Sequence, residues 1–434
     1  MKSNTTLRHE RSIEMEETQR TYYCGSVEDA EELVDFANMV FCLSDGGLDF
    51  SEVLPKAYAK DRQDIPVHHL VKEKGKIKGL VDVYPLSLRM DREDKEETMI
   101  LKAGYIGTVS VHPNERKKGH MKKLMEMVEQ TAIEQEYDLM ILDGNRHRYQ
   151  HFGFERAGIA YNFFAERSNV GHCCISMYES SYLRAPVYRF EELEADSPYI
   201  KEVYEMYMKR AVTARTIEDF FVCLQSYEAY SYSIWKEETL VGYLNLSANG
   251  KKIHEFELVD LSELPKVIYD FMQEWELKEI AIVVGVDEVE KSKYLEKMSD
   301  YFNAAVSHEI KILNYVKVLE FLFAWKQKYS ELAIGTYIVG IRHTATSDTQ
   351  EYIEKYQIEV FDQKTSDKKG SSRAVKVERT QQNADVVFES LEFVKALTTI
   401  YCLTEQQTGT QARLKDAPSG WFPLPFYLPS GDTF

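Results

Sequence analysis

The stretch from Val109 to Met125, VSVHPNERKKGHMKKLM, places four positive charges between Arg116 and Lys122 around a single glycine, in a chain of formal net charge −18. An apolar run ends in a proline-containing loop and feeds a helical pattern. The unpaired N–H groups of the helix and the positive end of its dipole therefore converge on one spot. Such a junction binds phosphate, and Gly119, lacking a Cβ, allows close backbone approach. Cations at a helix N-terminus oppose the dipole at a cost of about 0.3–1 kcal/mol each. Arg116, Lys117 and Lys118 are thus better explained by an anionic ligand, such as a pyrophosphate, than by stability.

The elements that would position this turn are legible around it. From Ser26 to Met39, Val27, Ala30, Leu33, Val34 and Ala37 share one helical face opposite acidic residues. The turn signal KEKGK and the run KIKGLVDVYPL predict a hairpin. YIGTVSV predicts a strand, and Met121, Leu124, Met125, Val128 and Ala132 predict a helix from about Lys118. LMILDG reads as a buried strand. The order is helix, hairpin, strand, helix, strand, an α/β layer with the cationic junction at its centre.

Further along, RSNVGHCCISMYESS predicts a boundary. A second block follows from VYRFEELEADSPYIKEVYEMYMKRAV to IAIVVGV, with a similar element order and no phosphate-type loop. A third block starts near His308, with the helix VKVLEFLFAWKQKY, the strands TYIVGIRH, YQIEVFD and AVKVERT, a hairpin loop QKTSDKKGSSR and the segment ADVVFESLEFVKALTTIYC. The expected organisation is a polar tail over 1–20, then units over 21–168, 169–307 and 308–434. The aromatic, proline-rich end GWFPLPFYLPSGDTF is unsuited to solvent.

Composition limits the alternatives. With 44% hydrophobic and 29% charged residues, the 434-residue chain reads as an ordinary globular protein of several domains. The acidic excess argues against a nucleic-acid binder and favours a cationic partner. Its six cysteines include no spaced zinc pairs, so no metal is expected and the thiols read as reduced. No run approaches the ~18 apolar residues of a membrane span, and no signal peptide is recognised. A cytoplasmic protein with no membrane partner is the expectation.

VSVHPNERKKGHM resembles the acetyl-CoA loop of the GCN5-related N-acetyltransferases (GNAT): Arg or Gln, two residues, Gly, one residue, then Gly or Ala. Arg116 and Gly119 match it. Met121 departs from the small last residue, as in the Eis-like branch of aminoglycoside and lysine acetyltransferases. RYQHFGFERAG resembles that group's Tyr, two residues, Phe-Gly-Phe/Tyr element through Tyr149, Phe152, Gly153 and Phe154. The three-block layout resembles two acetyltransferase-like domains followed by a sterol-carrier-like one, a mixed-sheet α/β (α+β) architecture.

The resemblance implies roles at particular positions. Val109, Ser110 and Val111 would pair with the pantetheine arm and acetyl carbonyl of acetyl-CoA. Arg116, Lys117, Lys118, Gly119, His120, Met121 and Lys122 would hold the pyrophosphate, and Gly144 and Asn145 would line the far side. Tyr149 would be the general acid: a phenol of pKa ~10 is protonated at neutral pH and can serve a thiolate whose acid sits near ~8.5. Phe434 would present its terminal carboxylate as base. Asp45, in CLSDGG, is a candidate for binding an acceptor ammonium. The implied acceptor is an amine-bearing cation, whether aminoglycoside, polyamine or protein lysine, and a homohexamer is implied. Two alternatives stand beside it: protein lysines as the main acceptors, or a non-catalytic acyl-CoA or lipid binder.

Overall fold

A computed structural model describes residues 20–45, 49–62, 65–91, 98–178, 185–210, 212–343, 350–364, 371–399, 414 and 416–434. The expected polar tail and most of the expected 363–373 hairpin loop lie outside these residues. The described elements build three sheets. The first begins with β1 (Arg20–Cys24), β2 (Val67–Glu73), β3 (Lys76–Asp91), β4 (Thr98–Val111), β5 (Leu139–Leu142) and β6 (Glu155–Ala157). Next come β7 (Ala160–Glu166), β8 (Tyr188–Glu192), β9 (Tyr230–Lys236), β10 (Thr239–Leu246), β11 (Lys252–Leu258), β12 (Glu279–Gly285) and β13 (Tyr301–Ala305), which form the second. The strand β14 (His308–Ile312) returns to the first sheet, and β15 (Gly335–His343), β16 (Tyr352–Lys364), β17 (Ser371–Arg379) and β18 (Val386–Glu389) make the third.

Helices cover these sheets. In the first unit they are α1 (Ala30–Asp45), α2 (Phe50–Val53), α3 (Pro55–Tyr58), α4 (His120–Glu134) and α5 (Arg146–Tyr149). The second has α6 (Arg167–Met177), α7 (Ile200–Met208), α8 (Ile217–Leu224), α9 (Leu264–Glu274) and α10 (Val289–Met298), and the third α11 (Tyr315–Gln327) and α12 (Ser390–Thr398). In α1, Leu33 and Ala37 are buried as their spacing predicts, whereas Val27 is 71% exposed. Val27 stands in a single 3-10 turn capped by Ser26 and Asp29, so the helical phase that would turn it inward has not begun.

Both faces of the first sheet are buried, because neighbouring residues of each strand serve opposite cores. Val71, Val81 and Met140 pack with Leu124 and Val128 of α4. Leu70, Leu80 and Ile141 pack in a core that extends to Leu319 of α11, Phe388 and the C-terminal Trp421, Phe426 and Phe434. The third unit and the chain end thus share a core with the first unit.

The sheets change over at Gly158, not at residue 168: β6 ends the first sheet and β7 lies between β12 and β13 in the second. Residues 308–312, expected to open the third unit, instead form β14 between β5 and β6, with Glu309 opposite Leu142 and Arg156. Strand order is set by pairing over long sequence distances, which local periodicity does not report.

Gly158 makes this crossing possible. Its φ is 84°, and a Cβ there would sit 2.2 Å from the Phe426 carbonyl oxygen. Gly158→Ala is expected to lower stability by roughly 2–3 kcal/mol through backbone strain and displacement of the 426 segment. Urea unfolding checks this, and a shift below about 0.5 kcal/mol, the size of an ordinary surface substitution, would contradict it.

Candidate functional site

Two parallel strands open a cleft in the first sheet. β4 and β5 pair from Ala103–Ile106 against Leu139–Leu142, after which β4 runs on alone. On its other edge β4 carries an extra residue against β3, between the pairs Asp82–Gly107 and Leu80–Ser110. Such a bulge bends a strand and re-aims its backbone. Thr108, in the bulge, has φ 51°. A buried polar chain supports it: Thr108 and Asp82 both hydrogen-bond the Tyr58 hydroxyl, and His68 Nδ1 lies 2.7 Å from Asp82 Oδ1. Burial, followed by the charge of Asp82, holds the Tyr58 phenol protonated.

The cationic turn sits at one end of this cleft. Gly119 caps α4 with φ 86°, and a Cβ there would meet nothing within 4 Å. Lys117 is also left-handed, at φ 66°. The N–H groups of His120, Met121 and Lys122 precede the first α4 bond, which runs from Lys123 to the Gly119 carbonyl. Arg116, Lys117, Lys118 and Lys122 are exposed, and Lys118 pairs with Glu115 at 2.8 Å. His120 is buried, with Nδ1 2.8 Å from the Tyr22 hydroxyl. Ser110 Oγ is buried with no partner among the described residues. Val109 and Met121 pack beside the α4 core.

Across the cleft, Asn145 caps α5, whose last residue is Tyr149. The Tyr149 ring packs against Gly144: a Cβ there would fall 2.4 Å from Cε2. Tyr149 is 5% exposed, and burial raises its pKa, opposed by the nearby Arg148. Asp45 ends α1, but its side chain lies outside the described residues.

The chain end enters the same cleft. A Cβ on Gly107 would lie 2.4 Å from Phe434 Cδ1 and 3.0 Å from its carboxyl carbon, so only glycine admits the terminal residue here. The Phe434 ring stacks on Tyr58 with centroids 5.8 Å apart and tilts against Tyr84 at 5.4 Å. Lys56, fully buried, donates to the Gly431 carbonyl at 2.8 Å and to the Thr433 carbonyl. Thr433 Oγ1 donates to the Tyr227 hydroxyl at 3.1 Å. Asp432 accepts from Arg215 Nε at 2.7 Å and from Thr213 Oγ1 at 2.6 Å, and Arg215 also binds Glu255 at 2.7 Å.

Residues 28–157 match the family described as acetyltransferase (GNAT) domain. Residues 28–157 carry an acetyltransferase (GNAT) domain. No protein of curated function matches it in sequence. Among solved structures it is similar to a GCN5-related N-acetyltransferase from Anabaena variabilis, at 15% identity over 96% of this chain and 100% of that one, TM-score 0.60. It is also similar to Eis1 from Mycobacterium abscessus, at 13% identity over 96% and 100%, TM-score 0.58. A probable N-acyltransferase from Enterococcus faecalis gives 12% identity over 87% and 89%, TM-score 0.60.

The residues present fit the acyl-CoA that GNAT domains use. The open left-handed turn at Lys117–Gly119 leaves three N–H groups for phosphate oxygens, and the orphaned Ser110 Oγ belongs to the strand that would pair with the pantetheine arm. The anchors Lys56, Arg215 and Asp432 escaped sequence reasoning, since their partners lie hundreds of positions away. So did Glu309, whose Oε2 is buried without a partner among the described residues. Burial and then the charge of Asp143 push its pKa up to about 7, while the Gly144 N–H opposes the rise.

Two tests follow from this anchoring. Arg215→Met leaves Asp432 and Glu255 as uncompensated buried carboxylates, at an expected cost of about 3–5 kcal/mol. Thermal unfolding should show the loss and carboxypeptidase should release Phe434 faster, whereas wild-type release would count against the anchor. Burial lowers the Lys56 pKa to about 8, so its charge is present below that pH and lost above it. The pH profile of kcat/KM should therefore fall on the alkaline side near 8, and Lys56→Arg should remove that limb. An unchanged limb in Lys56→Arg would assign it elsewhere.

Proposed function

We propose that the protein transfers an acetyl group from acetyl-CoA to a primary amine of a polycationic acceptor, an aminoglycoside, polyamine or lysine side chain. Tyr149 serves as general acid and the Phe434 carboxylate as base. The observation that carries this reading is the position of the chain end, with its carboxyl carbon against Gly107 on the bulged strand. The Eis-like reading of the whole chain, including a sterol-carrier-like third unit, is part of the proposal.

When bound, acetyl-CoA supplies a thioester whose C–S bond breaks as the new C–N bond forms. Tyr149, kept protonated by burial, holds a proton for the departing sulfur. The Phe434 carboxylate, of ordinary pKa ~3.5, is too weak to deprotonate a resting ammonium of pKa ~10.4. Its roles are to hold the cationic amine and to take the proton once attack has made it acidic. The exposed charges of Arg116, Lys117 and Lys118 belong to the pyrophosphate and need not match the acceptor.

The surroundings of the chain end support a cationic acceptor. Beside it, a cavity of about 380 Å³ is lined by Glu52, Glu192 and Glu228, with no lysine or arginine among the described residues of its wall. Its wall includes Glu228, next in sequence to Tyr227, whose hydroxyl accepts from Thr433 Oγ1 at 3.1 Å.

A thiol-release assay across aminoglycosides, polyamines and lysine peptides tests the reaction and selects the acceptor. Tyr149→Phe is expected to lower kcat by about 10²–10⁴ with a small change in KM. A three-residue extension beyond Phe434 should abolish turnover while acetyl-CoA binding, followed by calorimetry, persists. Wild-type turnover in both variants would remove the assigned roles.

A further inference from the structure

The second sheet repeats the opening of the first. β11 and β12 run parallel and pair only at Lys252–Ala281 and Ile253–Ile282. Beyond that point they part, and a cavity of about 660 Å³ lies between His254–Glu257 on one side and Val283 and Val284 on the other. The chain end visits this cleft as well, since a Cβ on Gly285 would lie 2.9 Å from Tyr427 Cδ1.

The chemistry of the opening is reversed. Where the first cleft leads to Arg116, Lys117, Lys118 and Gly119, the corresponding junction before α9 carries Asp260 and Glu263 and then Pro265. The next helix, α10, has Glu288 at its N-cap. Carboxylates at both helix starts repel a pyrophosphate, so a second CoA is excluded on charge.

The depth of the cavity is acidic and aromatic. Lys291, which is buried, is shared by Glu257 at 2.8 Å and Glu288 at 2.5 Å. Asp287 accepts a hydrogen bond from Trp325 Nε1 at 2.9 Å and pairs with no cation among the described residues. Tyr329 Oη is closed from solvent with no partner among the described residues. The other lysines of the lining, Lys209, Lys293 and Lys328, stand on the exposed rim, as does Arg210, 3.6 Å from Glu257, while half-buried Arg89 pairs with Asp91 at 2.9 Å.

We propose that the cleft of the second sheet binds an organic ammonium ion, with Asp287 as its counter-ion and the rings of Trp325, Tyr329 and Tyr427 around it. Aromatic faces attract cations, most strongly where water is excluded. Glu257 and Glu288 are matched by Lys291 and, at 3.6 Å from Glu257, Arg210, so among the described residues Asp287 is the carboxylate of this group left without a cation, which an added ammonium would supply. The Tyr329 hydroxyl oxygen gains a donor from the ammonium. This site is independent of acceptor binding in the first cleft.

Burial and the adjacent Glu288 push the Asp287 pKa up to about 7. The groups facing it are Glu288 and Lys291 of α10, Trp325 and Tyr329 of α11, and Tyr427 of the chain end. Glu257, also raised by burial, stands across Lys291. A bound cation favours ionised Asp287, so binding tightens as pH rises through 7, by roughly tenfold between pH 6 and 8.

Spermidine titrated into the full-length protein, followed by tryptophan fluorescence, tests the site. A saturable change absent from Trp325→Phe, at least tenfold weaker in Asp287→Asn and tighter at pH 8 than at pH 6, is expected. Should Asp287→Asn fail to fold by circular dichroism, Met208→Arg, which sets a cation on the cavity wall, should weaken binding as much. No Trp325-dependent change, or equal affinity in the folded variants, overturns the proposal. Because the readout is local to Trp325, it stands or falls separately from acetyl transfer.

Discussion

The ion pair of Asp432 with Arg215 fixes where the chain ends, and the chemistry proposed for the first cleft depends on that end. Termini usually fray, because a few residues cannot offset the entropy of ordering them. Here Trp421, Leu424, Phe426 and Leu428 are all buried, Lys56 grips two of the last carbonyls, and Arg215 is bound from both sides by carboxylates. A buried charge pair contributes little net stability, but it is intolerant of displacement, which is the property a positioned terminus requires.

The same segment couples the two sheets. Tyr427 lies on Gly285 in one cleft and Phe434 on Gly107 in the other, with glycine at each contact because a Cβ would collide with the incoming ring. Between them, the Phe426 carbonyl accepts from the Ile159 N–H just past the crossing at Gly158, and the Leu428 N–H donates to His308 Nε2 on the exchanged strand β14. The exchange of strands and the path of the terminus are therefore one arrangement. Displacing β14 would remove both the strand that carries Glu309 and a support of the chain end.

What could be read in the sequence follows from the range of each interaction. The α4 junction was legible because charge, glycine and apolar spacing all lie within one turn of each other, and the helix begins at His120, close to the expected Lys118. Tyr149 was legible through its motif, whereas its seat on Gly144 was not. The exchange of β7 and β14 between sheets was not legible, because these strands are placed by partners more than a hundred residues away. Asp432 carried no local mark at all, since its partner Arg215 is separated from it by 217 positions.

Two clefts of the same topology have thus been given opposite charge at the places where a ligand would end. The fold explains why both open: a parallel pair flanked by antiparallel neighbours loses its cross-strand bonds once one strand bulges or turns away, leaving backbone and side chains free to face a ligand. It does not decide what enters, because that choice resides in a few residues at each helix start. In the proposed reading three cations and a glycine select an anion at Arg116–Gly119. Asp260, Glu263 and Glu288 oppose one, and Asp287, without a cation partner among the described residues, is the group for which the proposed ammonium competes with a proton.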